Sequence, residues 1–247
     1  MKFLVLLKHD IKHLISNQGN VFMFTIFPVV MVLLFGFLFS NMYKGTFVSA
    51  YDFYGVTMIF FTAMMGATVP ANAFLEKTIK EGNTRIFYTP VSRVQIYLSK
   101  ILACFIFIST LLIVDVIVLS LLGIVNFGGI SILHIILLLA AFVLFLILLS
   151  SAICVTIRSE EITNTIISNS MSVLALLSGI MFPIASLGEW ADKLSNFSPL
   201  KWVLNSTFEL IYNGGSPNYV LILVGLIALS IPLLFVVHKN YRPEDYI

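Results

Sequence analysis

Between Ile101 and Ile157 the chain carries no Lys, Arg or Glu, and its one formal charge there is Asp115. Several shorter stretches have the same character. A soluble domain of 247 residues has too little interior to hide that much apolar surface. A hydrophobic fraction of 59%, a charged fraction of 11% and a mean hydropathy of +1.02 agree. The solvent for most of this chain is therefore a bilayer.

A membrane-spanning helix needs about 20 predominantly apolar residues. Charge-poor segments of that length fall at 21–41, 53–75, 101–125, 131–157, 162–187 and 218–238. The run 101–157 is too long for one helix, and the turn signal Asn126-Phe127-Gly128-Gly129 divides it. No segment shows the period-2 alternation of a β-barrel strand. The expectation is an all-α membrane protein of six transmembrane helices, one domain over 1–247, with no internal repeat or linker. The N-terminal MKFLVLLKHD has too short an apolar core, and no small-x-small site after it, to be a secretory signal.

An even number of spans puts both termini on one side. That side collects eleven basic residues (Lys2, Lys8, Lys12, Lys77, Lys80, Arg85, Arg93, Lys100, Arg158, Lys239 and Arg242), against Lys44, Lys193 and Lys201 on the other. The positive-inside rule makes the first side cytoplasmic. Cys104 and Cys154 fall near that reducing face, which argues against a disulfide. The net charge of +2 names no partner by itself, and nucleic acid is not expected.

Residues 2–15 read as an amphipathic interfacial helix. Leu4, Leu7, Ile11 and Leu14 form one face, with Lys8, Lys12, His9 and His13 on the other, toward lipid headgroups. His9 and His13 have metal-ligand spacing, but two interfacial histidines is the plainer reading, and no metal is expected. Span two carries Phe60, Phe61, Met64 and Met65, an adaptable apolar surface that suits packing, lipid contact or a passage for cargo. The charged stretch Glu76–Lys100 follows. Gly82-Asn83 breaks it, and Thr89-Pro90 is expected to start the helix into span three. Its compactness and mixed charge suit docking onto a soluble partner.

Asp115 inside span three is a functional candidate, because a carboxylate in a membrane is costly. His134 near the outer end of span four differs from it by roughly 9 Å in depth, which makes direct pairing doubtful. Span five opens with Thr163, Asn164, Thr165, Ser168, Asn169, Ser170 and Ser172. Thr165, Ser168, Asn169 and Ser172 share a face, as interhelical hydrogen-bond donors or as the lining of a polar entry. Beyond it, Gly188–Asn218 reads as an outer re-entrant helical hairpin. Ser198-Pro199 would cap a helix there, Leu200, Val203, Leu204, Thr207 and Ile211 follow at helical spacing, and Asn213-Gly214-Gly215 would end it; an interfacial hairpin is the alternative.

No G-x-x-x-x-G-K-[ST] sequence occurs, so the chain has no P-loop. It also lacks H-E-x-x-H, G-x-S-x-G and paired CxxC. Asp115 and His134 have no nucleophile or second carboxylate beside them, which leaves an intramembrane enzyme unsupported.

Two stretches resemble the permease subunits of type-2 ABC transporters. One is Glu76-Lys77-Thr78-Ile79-Lys80-Glu81-Gly82-Asn83-Thr84-Arg85, running into Thr89-Pro90-Val91-Ser92-Arg93 and Lys100. The other is Ser178-Gly179-Ile180-Met181-Phe182-Pro183-Ile184, followed by Phe197-Ser198-Pro199-Leu200. Their order and the six-span layout match that family over nearly the whole chain. Leu187-Gly188-Glu189-Trp190 departs from it, where the family often has a further Pro.

The resemblance implies a multi-pass permease of the plasma membrane, bacterial in type. A second permease copy or a paralogue would pair with it, together with two copies of a cytoplasmic ATPase subunit that holds ATP and Mg; this chain itself would carry no cofactor. The segment 76–89 would seat in the ATPase, with Glu76, Lys77, Lys80, Glu81, Gly82, Thr84, Arg85, Pro90 and Arg93 forming the coupling elbow. Spans two and five would line the path through Phe60, Phe61, Met64, Met65, Thr165, Asn169 and Ser172. An apolar or amphipathic cargo such as a drug, peptide or lipid would suit that lining. A role in immunity to an antimicrobial peptide is an alternative with the same machinery. An intramembrane enzyme and a passive channel are the alternatives of other classes.

Overall fold

A computed structural model describes residues 2–45, 48–75, 91–180, 195 and 198–242. Among these, regular structure is helical. The elements are α1 (Lys2–Ser16), α2 (Gln18–Leu38), α3 (Ala50–Met65), α4 (Val69–Leu75), α5 (Arg93–Leu121), α6 (Ile132–Ile157), α7 (Glu160–Leu177), α8 (Pro199–Tyr212) and α9 (Tyr219–Asn240). A 3-10 turn, Gly66–Thr68, joins α3 to α4, and another, Gly129–Ser131, opens α6.

Five of these segments are long and apolar enough to cross a membrane: α2, α3 with α4, α5, α6 with its opening turn, and α9. They fall on the expected spans one, two, three, four and six. The expected fifth span, 162–187, is different. Its described helix ends at Leu177 and leaves Thr165, Ser168, Asn169, Ser170 and Ser172 exposed. Hydroxyls and amides around that much of a helix are poor company for lipid tails, which sets α7 apart from the other five. Residues 181–187 lie outside the described residues. So do 76–90, and with them Glu76, Lys77, Lys80, Glu81, Gly82, Thr84, Arg85 and Pro90 of the elbow. Of the outer hairpin, the structure describes Ser195 and residues from Ser198 onward.

Local chemistry explains the helix boundaries. Asn17 caps α2 by accepting from the backbone N–H of Asn20 at 3.2 Å, and Ser49 caps α3 by accepting from Asp52 N at 3.0 Å. The helix into span three starts at Arg93, not at Thr89-Pro90. Ser92 and Gln95 form a reciprocal capping box there, Gln95 N donating to Ser92 Oγ at 3.4 Å and Ser92 N to Gln95 Oε1 at 3.3 Å. Span two breaks at Gly66–Thr68 because Pro70 has no N–H to offer and its ring crowds the carbonyl of Gly66. The 3-10 turn separates α3 from α4 within one continuous span.

Span two is the most enclosed of the spans, packed by α2, α5, α6 and α7, with α8 across its start. Phe24, Phe60, Phe74 and Phe142 are fully buried around it. Spans one and six are peripheral and turn Phe22, Ile26, Phe37, Leu221, Val224 and Phe235 outward, as lipid-facing surfaces do. α1 and the end of α9 both meet the start of α5, through Asp10 to Ser99 and Tyr97 to His238. Both therefore lie at the same, basic end of the bundle.

α1 departs from the expected pattern on one face. Leu7, Ile11 and Leu14 turn inward, but Leu4 is 65% exposed, and Asp10 joins the inner face. A helix packed on another helix buries what matches its neighbour, and Ser99 supplies a hydroxyl there.

Candidate functional site

The basic end gathers around α4, which follows the Gly66–Thr68 turn. Three neighbours grip it. Lys100 of α5, 4% exposed, donates from Nζ to the carbonyl of Ala73 at 2.8 Å. Asn164 of α7 donates from Nδ2 to Asn72 Oδ1 at 2.7 Å. The Phe74 ring meets the Tyr241 ring edge-on at 6.0 Å.

A second layer supports these contacts. Asp10 of α1 accepts a short hydrogen bond from Ser99 Oγ, next to Lys100 in sequence. Tyr241, buried just past α9, packs on Tyr97 at 5.5 Å. Burial pushes its phenol up, and Asp10 and Cys154 add to the effect. Tyr97 Oη and His238 Nδ1 share a hydrogen bond of 2.9 Å. Cys104 and Cys154 sit beside this cluster as buried free thiols.

α7 packs on span two. Thr163, Ile167, Met171 and Ala175 are its buried stripe. The expected path residues Thr165, Asn169 and Ser172 are on the opposite, exposed side. Thr165 Oγ1 donates to Glu161 O at 2.8 Å and Ser172 Oγ to Ser168 O at 2.7 Å, so both hydroxyls spend their proton on their own helix and keep lone pairs free. Asn169 makes no hydrogen bond among the described residues and offers a whole amide. Of the expected residues on span two, Phe60 and Met64 are buried in the bundle, Phe60 against Phe142 at 5.9 Å. Phe61 and Met65 are half-buried and share a stripe with Thr68 and Asn72. A cleft of about 680 Å³ at the basic end is lined by Leu75, Arg158, Ser159, Glu160, Glu161, Asn164 and Thr165.

Asp115 and His134 are not brought together. Asp115 is 4% exposed, with Oδ2 lacking a hydrogen-bond partner among the described residues. His134 is exposed, and its ring packs edge-on against Tyr219 at 5.5 Å. An enzyme built on that pair has no geometric basis. His9 is exposed and His13 half-buried, and no group of three metal-type side chains occurs among the described residues.

At the opposite end Asp52 ties three segments together. Its Oδ1 accepts from Asn126 N at 2.6 Å and its Oδ2 from Tyr212 Oη at 3.3 Å. Gly128 (φ +72°) permits the close approach of α8, since a Cβ there would lie 3.0 Å from Ile211 Cα. The Phe53 and Phe208 rings stack at 5.5 Å. Ser198 starts α8, yet its hydroxyl does not cap that helix; it bonds Ser178 Oγ at 2.5 Å and so joins the end of α7 to the start of α8.

Asp10, Asp52, Tyr97, His238 and Tyr241 carry contacts that sequence patterns did not single out. A carboxylate on the inner face of a basic helix and another in the first turn of a span were the available signals. The arrangement as a whole can bind, orient and move.

No curated protein matches the chain. The family model for the ABC-2 type transporter matches residues 1–212. That family's membrane domain has no ATPase site of its own and works with ABC ATPase subunits, in keeping with the missing P-loop. With most of its length matched, this chain belongs to the ABC-2 type transporter family as its multi-pass membrane component.

Proposed function

We propose that the chain is the permease subunit of an ATP-driven exporter for an apolar or amphipathic cargo such as a drug, peptide or lipid. α7 serves as the fifth of six spans. Its 18 residues reach about 27 Å, close to the roughly 30 Å of a bilayer core. Both termini lie in the cytoplasm, as the basic residues gathered at one end favour. Residues 76–89 are the elbow that seats in the ATPase, and two permeases work with two ATPases. The outer segment forms a re-entrant hairpin, of which α8 is the second arm.

The observation that carries this reading is the exposed polar face of α7, a helix that packs on span two, where Phe61 and Met65 are half-buried. A polar face suits lipid poorly and suits a passage shared with a second subunit well. Thr165, Asn169 and Ser172 orient cargo there, and Phe61 and Met65 give it apolar contact, with Phe60 and Met64 shaping the wall from behind. Transport then requires only that cargo bind the inward-open state better than the outward-open one, with ATP supplying the difference.

Glu81→Lys tests the elbow. Reversing one charge in a compact docking segment is expected to reduce co-purification of the cognate ATPase several-fold. Undiminished co-purification would remove 76–89 from that role.

A further inference from the structure

We propose that the junction of Arg93, His238 and Lys239, between the start of span three and the end of span six, binds the phosphate of an anionic phospholipid.

α9 sets the depth of the junction. At 22 residues it reaches about 33 Å, against roughly 30 Å for a bilayer core, so its last turn emerges at the level of the headgroups. Ile231, Phe235 and Lys239 follow one another at i, i+4 spacing, and all three are exposed. An acyl chain lying on Ile231 and Phe235 leads its own phosphate to Lys239.

His238 adds a directed donor. α9 packs along α6 and reaches α5 here through side chains, with His238 and Tyr241 on Tyr97. Tyr97 is 3% exposed, and its phenol bonds His238 Nδ1 at 2.9 Å and no other acceptor among the described residues. A buried phenol gives its proton to the acceptor it has, so Nδ1 accepts and the ring's own proton sits on Nε2. The imidazolium carries a proton on Nε2 as well. His238 is exposed, and its Nε2–H has no acceptor among the described residues. A phosphate oxygen supplies one.

Arg93 brings a cation from a second helix. It stands one turn before Tyr97 on the same side of α5, and it is exposed. As the first residue of α5 it lies at the positive end of the helix dipole, where a cation is unfavourable, so the dipole does not account for it. Neither Arg93 nor Lys239 forms an ion pair with an acid among the described residues. Asp10 accepts from Ser99, about 200° round α5 from Tyr97, and so serves another face. Two cations and a neutral donor therefore gather with no anion of their own. A phosphate diester matches them in charge and in acceptors. Inorganic phosphate has the same chemistry, but the exposed Ile231 and Phe235 that lead to the junction select the lipid.

The test titrates the purified full-length protein in detergent micelles with phosphatidylglycerol and follows retained lipid by native mass spectrometry. Phosphatidylglycerol is expected to bind about tenfold more tightly than phosphatidylcholine and to raise the thermal midpoint. Arg93→Gln and Lys239→Gln are each expected to weaken phosphatidylglycerol binding about fivefold, and His238→Leu by about as much. Tyr97→Phe keeps every charge but frees Nδ1 to hold the ring proton, and is expected to weaken binding about two- to threefold. Lys12→Gln removes an exposed cation of α1 at the same end of the bundle and is expected to leave binding within about twofold of native. Equal binding of the two lipids would overturn the proposal. So would an equal loss in Lys12→Gln and Lys239→Gln, which would make the attraction a property of the whole basic end. A midpoint raised as far by millimolar inorganic phosphate would mark a free-anion site and overturn the lipid. Should Arg93→Gln not accumulate, Lys239→Gln against Lys12→Gln decides.

Discussion

Asn72 and Asn164 meet amide to amide, Nδ2 of Asn164 donating to Asn72 Oδ1 over 2.7 Å, and so bind the lower part of span two to the polar helix α7. An interhelical hydrogen bond in a membrane protein contributes about 0.6 kcal/mol on average and up to about 1.7. Asn164→Leu is expected to cost about 1 kcal/mol, read as a fall of about 2–4 °C in the thermal midpoint of the purified protein. Adding Asn72→Leu removes the stranded partner and is expected to restore most of the loss. A double variant weaker than the single one would show that the pair does not act as a unit.

Gly55 gives a sharper steric prediction. A Cβ at that position would lie 2.5 Å from both Cγ atoms of Val125, where the loop after span three crosses span two. Gly55→Ala is expected to destabilise by about 1–3 kcal/mol through overpacking. Val125→Ala clears those methyl groups, so the pair Gly55→Ala/Val125→Ala is expected to unfold at a higher temperature than Gly55→Ala alone. Thermal unfolding of the three variants side by side measures it.

Asp115 gives a prediction of the opposite sign. Its Oδ2 is buried without a partner among the described residues, and spans one to four carry no Lys or Arg at comparable depth. Replacing a buried, unsatisfied polar group by an apolar one of similar shape is neutral or stabilising. Asp115→Leu is therefore expected to match or exceed the native thermal midpoint and to keep permease-dependent ATP hydrolysis. Loss of hydrolysis in a well-folded Asp115→Leu protein would give this carboxyl a part in transport.

Tyr43 lies outside the spans, with its ring 5.6 Å from Phe53 and 6.3 Å from Tyr54. Burial pushes its phenol up to about 12, and Tyr54 adds to the rise. Burial, then the charge of Asp52 and its hydrogen bond, also push Tyr212 up. The folded protein thus keeps these protons to higher pH than the unfolded chain, whose tyrosines titrate near pH 10. The resulting stability is fully present below about pH 10 and is lost as pH rises through about 12. Absorbance titration of phenolate in the detergent-solubilised protein checks this. A Tyr43→Phe protein is expected to lack one late-titrating group and to lose less stability between pH 10 and 12.

Most spans were legible in the sequence because lipid demands about 20 apolar residues in a row, a signal that needs no partner to be read. The caps at Asn17 and Ser49 and the turn at Asn126–Gly129 are local in the same way. α7 was readable as a helix with one polar face, but not that this face would be the exposed one, because which side its residues present depends on the neighbours it meets. Phe60 and Met64 show the same limit. Their composition suited a cargo wall or a packed core equally, and contact with α6 turned Phe60 inward. Lys100 was readable as the end of a charged stretch. The contact of Asp10 with its neighbour Ser99 was not, since the two sit 89 positions apart.

The chain alone determined that it lives in a membrane, where its helices begin and turn, and that it carries no means of binding ATP through a P-loop. Those properties follow from local composition and from short-range backbone chemistry. Only the folded bundle decided that α4 is held by Lys100, Asn164 and Tyr241, and that Asp115 and His134 do not meet. Contacts between segments far apart in the chain are set by helix packing and by the need to partner buried charge, and neither leaves a periodic mark in the order of residues.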